Sequence, residues 1–208
     1  MRRDEGPMKD RSIITPAKGD ALIVVDVQKD FLPGGNLGVP DGDAVVPAMN
    51  HYLKHFRRAG LPLYATRDWH PESHCSFKAQ GGPWPPHCIA DSDGAAFADD
   101  LHLGDDVRVI SKATTVEKDA YSGFEGTDLA QRLRKQNVKR LFIGGLATDY
   151  CVLNTVKDAL KQGFQVLLLD DGIRGVNVNA GDSKKAIEEM HALGAKSITL
   201  NDLELAHA

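Results

Sequence analysis

From residue 20 onward the chain alternates short apolar runs rich in β-branched residues with segments whose apolar positions recur every three to four residues. Residues 21–25 form the first run, continuous rather than alternating, as a strand covered on both faces requires. Residues 44–58 follow as a helix, with Val45, Met49, Leu53 and Phe56 on one face and Gly60 as its stop. Residues 61–65 and 107–110 read as the second and third strands. Thr127 caps a short helix through residue 136, and residues 138–143 form the fourth strand. A helix over 152–162 stops at Gly163, and 165–169 is the fifth strand. A helix over about 181–193 ends before Gly194, and 197–200 is the last strand. Strands alternating with helices predict an α/β fold: a mostly parallel sheet with helices on both faces. Over 67–97 the pattern lapses into a segment rich in Gly, Pro, His and Cys. A loop of that length inside a compact domain is usually functional.

Residues 1–18 are polar and lack a period, which predicts a flexible N-terminal extension preceding a single domain over 19–208. A net charge of -4 without a basic block argues against nucleic acid as a partner. No apolar stretch approaches a membrane span, and the first residues, with no apolar core following them, are not expected to form a secretory signal. Three cysteines are too few for a disulfide scaffold and fit a reducing, cytoplasmic compartment. A homo-oligomer is compatible with this composition.

Ligands of open α/β sheets collect at the carboxyl ends of the strands. Here those ends run into Asp26, into Asp68 and His70, into Lys112, and into Cys151. Each alone has an ordinary explanation: aspartates after strands form turns, and buried cysteines fill cores. Their convergence on one rim changes the reading. Cys151 falls in the first turn after a strand, where the positive helix end is expected to favour thiolate. Asp26 can serve it as base and Lys112 as electrostatic partner, while the backbone N–H groups of Ala147 and Cys151 can hold an oxyanion. Asp68 and His70 with the distant His87 form a two-histidine, one-carboxylate set suited to Zn, Fe or Mn with open positions. Cys75 and Cys88 adjoin these candidates as competing soft donors. His51, His55, His102 and His191 fall on helix or surface positions and read as structural. Gly34, Gly35 and Gly38 fit no phosphate-binding motif and are expected to form a turn.

The segments Val25-Asp26-Val27-Gln28-Lys29-Asp30-Phe31, Thr66-Arg67-Asp68-Trp69-His70, Trp84-Pro85-Pro86-His87-Cys88, Ala120-Tyr121-Ser122-Gly123-Phe124 and Gly145-Leu146-Ala147-Thr148-Asp149-Tyr150-Cys151 carry a resemblance. Over about residues 20–200 the chain resembles the nicotinamidases (pyrazinamidases) of the isochorismatase-like cysteine hydrolase superfamily, which implies a three-layer α/β/α fold. The resemblance implies a catalytic triad of Asp26, Lys112 and Cys151, and a divalent metal, zinc before iron or manganese, on Asp68, His70 and His87. Some members carry an additional residue near the metal, for which His74 stands here at a shorter spacing. The family's metal takes the substrate's pyridine nitrogen or waters, with the ring among aromatics matched by Phe31, Trp84 and Tyr121. The bond between Leu146 and Ala147 matches a cis peptide of the family.

The expected activity is hydrolysis of nicotinamide, and of pyrazinamide, to the acid and ammonia through a cysteine thioester, in NAD salvage. A metal-free cysteine hydrolase acting on another small amide is the neighbouring reading; it leaves Asp68, His70 and His87 without a use. A non-haem iron oxygenase on those three ligands and a non-catalytic sensor of a pyridine metabolite are readings of other classes. Ammonia release separates them.

Overall fold

The computed structural model describes residues 13–203. Six strands form one parallel sheet: β1 (Asp20–Val25), β2 (Leu63–Asp68), β3 (Val107–Lys112), β4 (Arg140–Leu146), β5 (Gln165–Arg174) and β6 (Lys196–Ile198), in the order β3-β2-β1-β4-β5-β6. Four helices cover it: α1 (Val45–Arg58), α2 (Leu129–Lys135), α3 (Leu153–Lys161) and α4 (Asp182–Ala192). Alternate residues of β1 feed two separate cores. Leu22 and Val24 pack with Met49, Leu53 and Phe56 of α1, whereas Ala21, Ile23 and Val25 pack with Leu129, Leu133, Val156 and Met190 of the other three helices. The expected three layers are present.

Strand order reverses between β1 and β4, which opens a crevice beyond their carboxyl ends. The two strands approach closely there. A Cβ on Gly145, at φ 124°, would lie 2.1 Å from the Val25 carbonyl oxygen, so only glycine fits.

Several boundaries differ from the sequence expectation. The second strand runs over Leu63–Asp68 instead of 61–65, because Pro62 only leads in and the pairing with β3 continues through Asp68↔Lys112. The fifth strand continues past 169 to Arg174, through a polar stretch that resumes pairing with β4 after an irregularity. The last strand is Lys196–Ile198; residues 200–202 form a tight 3-10 turn capped by Thr199. Gly34 sits at φ 91° in the expected turn. Of the expected 1–18 extension, residues 1–12 lie outside the described residues. Ile14 bridges to Leu203, and its N–H donates to the Asp202 carbonyl at 2.8 Å, which ties this segment to the far end of the domain. No helix among the described residues is long and apolar enough to cross a membrane.

Candidate active site

The strand ends deliver the expected side chains to one buried cluster. Asp26 follows β1 at φ 46°, a left-handed turn that aspartate tolerates better than most residues. Its Oδ1 accepts a hydrogen bond from Thr66 Oγ1 at 2.6 Å, and Lys112 Nζ lies 2.9 Å from its Oδ2. Lys112 also donates to Asp68 Oδ1, to the Ala120 carbonyl at 3.1 Å, and to Cys151 Sγ at 3.4 Å. One buried ammonium therefore holds two carboxylates and a thiol. Acidic and thiol atoms of Asp26, Asp68 and Cys151 all lie within 4.8 Å of one another. Asp26 Oδ2 meets the Lys112 ammonium as an ion pair and takes no well-aligned hydrogen bond among the described residues, so it is the oxygen that can accept a proton.

Burial works against the Lys112 ammonium, but Asp26 and Asp68 outweigh it and hold its pKa well above the ordinary value. Burial raises the Asp26 carboxyl, Lys112 pulls it back and Asp68 pushes it up again, for a net rise. Cys151 was expected to favour thiolate at a helix end, and the structure corrects this. It sits in a π-helical turn, Thr148–Val152, ahead of α3, and burial drives its thiol well above the ordinary range despite Lys112. A sulfur buried in this way needs a base to become a nucleophile.

The histidine loop folds back over this cluster through the bridges His70↔Ile89 and Phe77↔Trp84. His70 Nδ1 faces the His87 carbonyl at 2.9 Å, and His87 Nδ1 faces the Pro85 carbonyl at 2.8 Å. A carbonyl only accepts, so each Nδ1 carries a hydrogen and Nε2 is the atom each ring can turn toward a metal. Burial lowers the His70 pKa to about 3, which keeps the ring neutral. One donor atom each from Asp68, His70 and His87 lie within 4.8 Å of one another. Oriented imidazoles beside a carboxylate fit a divalent metal ion bound by three protein ligands with positions left open.

His74 stacks on His70 at 4.2 Å, with Nε2 donating to the Lys118 carbonyl at 3.0 Å and Nδ1 2.7 Å from Ser76 Oγ. Both nitrogens face protein groups, while His70, His74 and Asp119 also offer donor atoms within 4.8 Å of one another. Cys75 and Cys88 belong to none of the donor clusters among the described residues. Cys88 is buried, which raises its thiol, and its N–H donates to Asp30 Oδ2 at 2.7 Å.

A pocket opens on these groups, lined by Asp68, His70, His87, Ala147 and Cys151 with Phe31, Trp84 and Tyr121. Trp84 Nε1 donates to Tyr121 Oη at 2.9 Å. The Leu146–Ala147 peptide is cis, as the resemblance implied. The structure adds residues that sequence reasoning missed. Tyr150, Leu37, Val39 and Val176 line the same pocket, and the Tyr150 ring meets Trp84 edge-on at 5.2 Å. Gln28 brackets the Asp68 peptide, accepting its N–H and donating to its carbonyl, both at 2.8 Å. Gln28, Asp30, Thr66 and Tyr150 all stood inside the motifs. Only their contacts reveal what they hold. His51, His102 and His191 are exposed and His55 half-buried, away from the pocket.

The sequence profile of the isochorismatase domain matches residues 20–202. The chain is 39% identical over 205 residues to the nicotinamidase of Escherichia coli (strain K12), spanning 88% of this chain and 96% of the relative. The pyrazinamidase of Pyrococcus horikoshii, solved in complex with zinc, is similar at a TM-score of 0.84 and 51% identity, over 88% of this chain and 99% of that one. A protein from L. infantum solved in complex with nicotinate is similar at a TM-score of 0.83 and 36% identity, over 92% and 98%.

Proposed function

The chain belongs to the isochorismatase family, and from that premise we propose that it is a nicotinamidase, converting nicotinamide and water to nicotinate and ammonia. One observation carries the reading. The oriented pair His70 and His87 with Asp68 opens on the same aromatic pocket as Cys151. An amidase for a non-basic amide has no use for that donor set, and an oxygenase has no use for the buried Asp26, Lys112 and Cys151 cluster.

In the proposed mechanism Asp26 takes the Cys151 Sγ proton on Oδ2 as the sulfur attacks the carboxamide carbon. The N–H groups of Ala147 and Cys151 receive the oxyanion. Collapse breaks the C–N bond, and Asp26 returns the proton to the departing ammonia, leaving a thioester. Asp26 then takes a proton from water as the water oxygen attacks the thioester carbon. The acid departs and Sγ regains its proton. Lys112 stays charged throughout, as its two carboxylate partners require, and keeps Asp26 ionised between steps. Phe31, Trp84 and Tyr121 enclose the flat ring. A divalent ion, zinc by likeness to the Pyrococcus structure, would be held by Asp68, His70 and His87 and would supply a Lewis-acid partner for the ring nitrogen. The setting is NAD salvage in a reducing cytoplasm, which suits three free thiols.

Ammonia release tests this. Nicotinamide and pyrazinamide both carry a ring nitrogen in the required place and should be hydrolysed, whereas benzamide lacks it and its kcat/KM should fall sharply. Equal hydrolysis of benzamide would remove the nitrogen anchor and this assignment with it.

A further inference from the structure

Asp149 stands two residues before Cys151, and the thioester chemistry does not use it. Its carboxylate reaches instead to the connection between β5 and α4: Oδ1 accepts the Val176 N–H at 2.9 Å and Oδ2 the Asn177 N–H at 2.7 Å. Val176 lines the pocket.

The connection is shaped around this grip. A Cβ on Gly175 would lie 3.1 Å from Asp149 Oδ1 and 1.8 Å from Ser183 Oγ, so a larger residue cannot stand there without displacing them. Asn177 takes φ 52°, and its side-chain oxygen accepts the Ser183 N–H at 2.9 Å, fastening the connection to the start of α4. Two consecutive N–H groups on one carboxylate are charge-assisted bonds with a defined direction. They fix Val176 relative to the turn that carries the nucleophile.

We infer that Asp149 is a positioning residue that sets the width of the ring pocket, and so the ring substituents it admits, by holding Val176 against the nucleophile turn. This rests on reading the pocket as the seat of a flat aromatic amide. Without the grip the Val176 wall gives way. Small rings are then held less firmly and bulkier ones gain entry, while Cys151, Asp26 and Lys112 keep their mutual contacts.

The test uses Asp149→Asn, which keeps the size but turns one acceptor into a donor facing an N–H group. Val176→Ala is the reference, because it opens the same wall without touching the grip. Alkylation of Cys151 by iodoacetamide and by its N-benzyl derivative is followed by peptide mass spectrometry. This readout needs no turnover, so it stays informative if the nicotinamide assignment fails in the ammonia assay. In both variants the benzyl-to-plain rate ratio should rise about tenfold, the scale on which a hydrophobic pocket discriminates a small change in bulk. The plain iodoacetamide rate, which involves no ring, should change far less than the N-benzyl rate. With nicotinamide, KM should rise in Asp149→Asn while kcat holds, the pattern of lost uniform binding. If Val176→Ala raises the ratio and Asp149→Asn does not, Asp149 does not set the width. A wild-type ratio in both would place the wall elsewhere. A large loss of the plain rate at unchanged ratio would make Asp149 a support of the nucleophile turn instead. Asp149→Ser, which retains one acceptor, replaces the Asn variant if that protein does not fold.

Discussion

Replacing Lys112 by Met should destabilise the protein strongly, and the loss should depend on pH in a defined direction. Lys112 is fully buried, with two carboxylates as ion-pair partners, at 2.9 Å for Asp26 and closer for Asp68. At 2.9 Å the Coulomb attraction is about 6 kcal/mol for an effective dielectric constant of about 20. Part of that only offsets the desolvation of the ions, so the better guide is the measured cost of breaking a buried pair, about 3–5 kcal/mol. In a domain of this size each kcal/mol lowers Tm by about 2–4 °C, so a drop of about 6–20 °C is expected at pH 7. The sign with pH follows from the stranded carboxylates. Burial and mutual repulsion already raise Asp26, and without the ammonium it rises further. Over the window above the unfolded carboxyl pKa, the folded variant then holds protons that the unfolded chain has released. Its stability falls as pH rises through that window and is recovered as pH falls. The gap to wild type should therefore narrow from pH 7 to pH 5. Thermal unfolding followed by circular dichroism on chelated protein measures it; a cation at Asp68 would mask part of the repulsion. A variant within about 2 °C of wild type at pH 7, less than the effect of 1 kcal/mol, would refute the reasoning. So would a gap that does not change with pH.

Three further outcomes are expected. Cys151→Ala should abolish ammonia release with the fold intact, whereas Cys75→Ala and Cys88→Ala should retain most of it; turnover by the first would exclude a thioester. Asp26→Asn should lose at least about 10²–10⁴-fold in kcat and react more slowly with iodoacetamide. In the unsubstituted enzyme kcat/KM should fall on acidification as Asp26 protonates, at a higher pH than an ordinary aspartate because its pKa is raised; an unchanged Asp26→Asn enzyme would show that another group activates the thiol. Elemental analysis should find about one divalent ion per chain, as one three-ligand site would hold. His87→Ala should lose that ion and raise KM more than it lowers Tm; full retention of metal after replacement of Asp68, His70 and His87 together would move the site.

The sheet was legible because a parallel strand covered on both faces must be apolar along its buried length, as residues 21–25 and 141–146 are. The ends of β2 and β5 were not. Arg67, Asp68, Asp170 and Asp171 read as loop, since nothing in local composition distinguishes a polar residue that pairs from one that turns. Asp26, Lys112 and Cys151 were legible as a group because a parallel sheet brings the carboxyl ends of its strands to one edge. Thr66, Gln28, Asp30 and Asp149 were not legible in their roles. Each acts through a hydrogen bond to a partner between 27 and 58 residues away, and local pattern holds no trace of such a pair. The state of the Cys151 thiol was misjudged for a related reason: the turn suggested a favourable dipole, but burial depends on what the rest of the chain places around the sulfur.

The two halves of the site share one strand. Thr66, Asp68 and His70 are alternate residues along β2 and its extension, so they project to the same face. Thr66 orients the base, Asp68 balances Lys112 and joins the donor cluster, and His70 completes that cluster with His87. Register holds this arrangement from both sides, through Val25↔Thr66 on β1 and Asp68↔Lys112 on β3. A slip of one residue would turn all three side chains to the opposite face at once. The same geometry makes Asp68 inseparable from either task. Replacing it by alanine removes a candidate metal ligand and a counter-charge of the buried lysine together. Its effect on ion binding therefore cannot be read without the Lys112 variant beside it.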